Sequence, residues 1–123
     1  MAVTYISDHG PGCFPDDADD YVPPEILDLC DGVDLLIHDS QHTRAEYEGK
    51  RHWGHCTVDY AVHVAREAGV GRLVLFHHDP LHDDDTVDAL ERYAGDLAAR
   101  AGLAGVVAAA EGMSLHLGVT RRA

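Results

Sequence analysis

The sequence predicts an α/β fold in which helices alternate with the strands of one sheet. Two continuous apolar runs, at residues 33–38 and at Arg72–Phe76, are typical of strands that are buried on both faces. Between them, Val58–Ala68 carries apolar side chains at helical spacing and is followed by Gly69, a residue type that commonly ends a helix. Neither a repeat nor a linker interrupts the alternation, so we expect the 123 residues to form a single domain.

Short local signals predict the other elements of the first half. Val3–Ile6 is a β-branched and aromatic run and is predicted to be the first strand. Residues 10–24 combine turn formers with like charges, a composition that favours a surface loop. Pro23 and Pro24 open a short helix that reaches Cys30, since proline is tolerated in a first helical turn.

The second half continues the alternation. Residues 43–49 are predicted to form one or two helical turns, and residues 50–57 a histidine-bearing loop. Acidic residues precede a predicted helix at residues 86–100, where they suit the positive end of the helix dipole. Two short strands, Gly105–Ala108 and residues 113–117, are predicted to complete the sheet.

The composition limits the partners that we expect. The chain has 9 Lys and Arg against 22 Asp and Glu, a net charge of −13, and Lys50 is its only lysine. Because such a surface repels phosphate backbones, we expect nucleic acid to be an unlikely partner. No apolar run approaches a membrane span, and the three cysteines form no CxxC pair, so we expect a cytoplasmic protein with no membrane partner.

Histidine and aspartate are concentrated where the predicted strands end. The 10 histidines include those of Asp8-His9, His38-Asp39 and His77-His78-Asp79, which follow strands, and His55, which precedes a helix. Open α/β sheets bind ligands beyond the carboxyl ends of their strands, and imidazole and carboxylate groups bind zinc and related metals. Metal-assisted hydrolysis is therefore the first chemical hypothesis, although a lone histidine or aspartate in a loop is more often an ordinary polar residue.

Five segments together resemble the C-terminal half of metallo-β-lactamase-fold hydrolases, in the branch that includes ribonuclease Z and related phosphodiesterases. These segments are YISDHG, DLLIHDSQHT, WGHCTVDYAV, GVGRLVLFHHDP and EGMSLHL, and they occur in the family's order over residues 3–117. The resemblance implies half of an αββα sandwich, with a mixed sheet and flanking helices.

The resemblance also implies roles for four residues. Asp8 corresponds to an aspartate that bridges two divalent metal ions, and His77 to a histidine ligand of the second ion. The ions would be zinc, with manganese or iron as alternatives. His55 lies in a GHST-type motif whose histidine helps to protonate the leaving group, and Asp39 would orient that histidine and keep it charged.

Each of these four residues also has a purely structural interpretation. Asp8 and Asp39 could cap loops, His77 could be a buried histidine bonded to the backbone, and His55 could be a plain loop residue. His78 and Asp79 could shape the rim or contact substrate. The other histidines, and Cys56 in place of the motif's serine, are given no catalytic role.

The family's HxHxDH motif, which supplies most ligands of the first metal, does not occur in this sequence. One carboxylate and one histidine cannot complete a two-metal site, so we expect the isolated chain to bind metal weakly. The same consideration predicts an uncovered sheet face, and thus association with another copy or with a complementary N-terminal half.

Two functions from different classes follow. The first is metal-dependent hydrolysis of a small phosphodiester or other ester by a two-metal site that needs the N-terminal half. The second is a non-catalytic α/β module that associates through its uncovered face.

Overall fold

The fold alternates strands and helices, as the sequence predicts. The computed structural model describes residues 2–7, 22–41, 56–76, 78 and 82–115. The elements in chain order are β1 (Val3–Ile6), α1 (Pro24–Cys30), β2 (Leu35–Asp39), α2 (Val58–Ala68), β3 (Arg72–Phe76), α3 (Asp84–Ala101) and β4 (Gly105–Ala108). The α/β class is thereby confirmed, while the helical turns predicted at residues 43–49 lie outside the described residues.

The strands form one sheet whose spatial order, β1-β2-β3-β4, is the order of the chain. All three pairings are parallel, and Val3 pairs with Leu35, Leu35 with Arg72, and Arg72 with Gly105. The prediction of a mixed sheet therefore does not describe this part of the molecule. The strand predicted at residues 113–117 is not observed at 113–115, which pair with no other strand, and residues 116 and 117 lie outside the described residues.

One face of the sheet packs against the helices. Right-handed crossovers between strands taken in chain order place successive helices on the same face. The helix-facing side chains of the sheet include Ile6, Leu36, Leu73 and Leu75, which join the buried side chains of α2 in one core. On the opposite face Val3 and Tyr5 are 51% and 54% exposed. The helices of the described chain thus cover one side of the sheet.

Side-chain caps set the starts of the two long helices. The Thr57 hydroxyl accepts a hydrogen bond from the Tyr60 N–H at 3.0 Å and begins α2. The Asp83 carboxylate accepts a hydrogen bond from the Thr86 N–H at 2.8 Å. Helix α3 therefore begins at Asp84 rather than at residue 86 as predicted. Among the residues that the structure describes, no helix is long and apolar enough to cross a membrane.

Candidate active site

The carboxyl ends of the central strands lie at one edge of the sheet. The register pairs Ile6 of β1 with His38 of β2, and Asp39 of β2 with Phe76 of β3. In sequence, Asp8 comes two positions after the end of β1, and His77 comes directly after β3. The strands that precede the predicted metal ligands therefore end beside Asp39.

Asp39 is the one predicted site residue whose structure is described. Asp8, His55 and His77 lie outside the described residues. Asp39 is the last residue of β2 and is 0% exposed. A carboxylate with this degree of burial is rare in a protein unless it is paired or hydrogen-bonded, which makes this strand end a candidate functional site.

Short backbone contacts fix the turn that follows Asp39. The Gln41 N–H donates to Oδ1 of Asp39 at 3.2 Å. The Ser40 N–H and its hydroxyl both donate to the Phe76 carbonyl, at 2.9 Å and 3.1 Å. The end of β2 is therefore fastened to the end of β3, and one carboxylate oxygen of Asp39 is oriented by the turn itself.

The backbone carbonyl of Asp39 accepts two side-chain hydrogen bonds. Nδ1 of His38 lies 2.7 Å from this oxygen and Sγ of Cys56 lies 2.8 Å from it, while the two donor atoms are 3.7 Å apart. Since a carbonyl oxygen can only accept, Nδ1 of His38 carries a proton. His38 and Cys56 are both 0% exposed, so these contacts are shielded from water.

Burial raises the pKa of the Cys56 thiol well above its ordinary value, and the negative charge of Asp39 raises it further. The group therefore remains a neutral thiol at physiological pH and can act as a donor. Its contact with Asp39 connects the end of β2 to the residues that begin α2. Cys56 also directly follows His55 in the chain, so the contact involves the neighbour of the predicted general acid.

His78 has a backbone partner. Its Nε2 lies 3.0 Å from the carbonyl oxygen of Ala109, just beyond β4. The Ala109 N–H in turn donates to Leu75 at 2.8 Å. His78 therefore connects the end of β3 to the end of β4, a structural contact that the expected rim or substrate role did not include.

Sequence reasoning gave no role to His38, Ser40, Gln41 or Cys56, although all four are buried at this edge. The buried side-chain oxygen of Gln41 has no hydrogen-bond partner among the residues that the structure describes. Polar residues directly after an apolar strand could have pointed to this site. Sequence alone does not show which of them are buried.

Comparison with known proteins identifies the family. Residues 2–78 match the sequence model of the β-lactamase superfamily domain. The chain belongs to this superfamily. Among its curated relatives are ribonuclease Z of Brevibacillus brevis, 36% identical over 63 residues, and ribonuclease Z of Myxococcus xanthus, 38% identical over 76 residues. These matches cover 51% and 58% of this chain but 20% and 25% of the relatives.

Solved structures agree on the fold of this β-lactamase-superfamily chain. The metallo-β-lactamase-fold protein YhfI of Bacillus subtilis superposes with a TM-score of 0.53 over 74% of this chain and 34% of that one. The short form of human tRNase Z superposes with a TM-score of 0.57 over 80% of this chain and 30% of that one. Both proteins are 24% identical to this chain in the aligned region. The predicted metallo-β-lactamase fold is confirmed, and the chain spans about a third or less of the length of these proteins.

The described residues do not form a metal site by themselves. Among them, no three histidine, cysteine, aspartate or glutamate side chains are placed to hold a metal ion. At the end of β2, Oδ1 of Asp39 accepts a hydrogen bond from the Gln41 N–H. Nδ1 of His38 donates to the backbone carbonyl of Asp39. The two-metal site therefore stays a prediction that rests on Asp8, His77 and the missing motif.

Proposed function

We propose that this chain supplies part of the active site of a metal-dependent phosphodiesterase that acts on RNA. One observation carries the proposal: the fully buried carboxylate of Asp39 lies at the carboxyl end of a central parallel strand, beside the ends of β1 and β3. This is where open α/β sheets bind ligands. Membership of the β-lactamase superfamily and similarity to ribonuclease Z support the reaction class.

In this proposal Asp39 acts through His55. A buried carboxylate beside an imidazole favours the charged imidazolium, which can then give its proton to the departing oxygen of the ester. Two divalent ions, held in part by Asp8 and His77, would supply polarisation of the phosphodiester. The remaining metal ligands would come from a complementary segment that carries the HxHxDH motif.

The proposed substrate is RNA, whereas the net charge of the chain favoured a small phosphodiester. The relatives are named for ribonuclease activity, which conflicts with the expectation that nucleic acid is an unlikely partner. The physical reason is that net charge describes the average field of a chain, whereas substrate binding depends on the local field at the site. Bound cations and a complementary segment would both change that local field.

The test pairs this chain with an HxHxDH-bearing N-terminal half and measures hydrolysis of a structured RNA and of bis-p-nitrophenyl phosphate, with zinc or manganese. We expect metal-dependent cleavage of the RNA. Asp39→Asn should lower kcat by about 10–100-fold, the usual effect of removing a group that orients a functional side chain. Asp88→Asn, the same change at an exposed position on α3, should have no effect. A metal-loaded pair that cleaves neither substrate would contradict the proposal and favour the non-catalytic module.

A further inference from the structure

We draw no further inference here: the strongest candidate, the apolar sheet face opposite the helices around Val3 and Tyr5, carries none, because nothing in the described part of the structure shows what covers it.

Discussion

The Glu91 carboxylate of α3 accepts a hydrogen bond from the backbone N–H of Ala108 in β4 at 2.6 Å. The next amide, that of Ala109, donates to the Leu75 carbonyl of β3. The amide of Ala108 therefore points to the other side of β4, away from β3. Because β4 is an edge of the described sheet, this amide could otherwise pair with a strand of another molecule. Glu91 therefore both satisfies the amide and blocks the edge.

Glu91→Ala should destabilise the chain and promote association through β4. A hydrogen bond to a charged acceptor contributes about 1.5–3 kcal/mol, and we expect a loss of about that size in urea unfolding. Glu91→Gln keeps an acceptor and should lose less. Light scattering coupled to size-exclusion chromatography measures the mass. An alanine variant with wild-type mass and stability would show that the contact has no protective role.

Gly71→Ala should be strongly destabilising, whereas Gly95→Ala should not. A Cβ on Gly71 would lie 2.8 Å from the backbone oxygen of Asp34, which is held in place because it accepts the Arg72 N–H at 3.0 Å. Such a clash costs about 1–3 kcal/mol. Gly95 lies inside α3 with no atom within 4 Å of its added Cβ, so alanine there should stabilise by about 0.5–1 kcal/mol. Thermal unfolding followed by circular dichroism compares the two, and equal effects would contradict the argument.

Asp83 should make the stability of α3 depend on pH in acid. Hydrogen bonds from Thr86, first from its side chain and then from its backbone N–H, lower the pKa of Asp83. A carboxylate with a lowered pKa stabilises the fold fully above the unfolded value of about 3.9 and loses that contribution as the pH falls through the folded value. Asparagine at this position can still cap the helix but does not titrate. Asp83→Asn should therefore make the urea midpoint of unfolding vary less with pH between about pH 2 and pH 5. If the urea midpoint of Asp83→Asn falls with acid as steeply as that of the wild type, Asp83 makes no such contribution.

Gln41→Met should be neutral or stabilising. The buried amide oxygen of Gln41 has no partner among the described residues, and a buried acceptor left in this state costs about 1–3 kcal/mol. Methionine has a similar shape and removes that cost. The urea midpoint measures the change, with Gln41→Glu as the opposite case, which should destabilise because it buries a second carboxylate beside Asp39. A clear loss of stability in the methionine variant would show that the amide oxygen is satisfied in solution.

The elements could be predicted because their signals are local. Apolar runs predicted β1, β3 and β4 with the observed bounds, and helical periodicity did the same for α2. The predicted bounds were wrong for two of the elements. The Asp83 cap moves the start of α3, and β2 begins at Leu35 rather than at residue 33. The parallel sheet depends on pairings between distant segments, which no local pattern specifies.

The candidate site was predictable only in part for the same reason. Asp39 could be singled out from its place after an apolar strand and from a motif. Its partners could not, because the contact between Cys56 and the Asp39 carbonyl joins residues that the fold brings together. The buried oxygen of Gln41 is likewise a property of packing rather than of sequence.

The chain-ordered parallel sheet also affects how the molecule folds. Val3 finds its partner only at Leu35, Leu35 at Arg72, and Arg72 at Gly105, so every pairing must first close a long loop. Such non-local topologies fold slowly compared with helical bundles of similar length, and their strand edges stay exposed until the last crossover docks. During synthesis β1 must wait for β2 and β2 for β3, so unpaired strand edges stay exposed while the rest of the sheet is made.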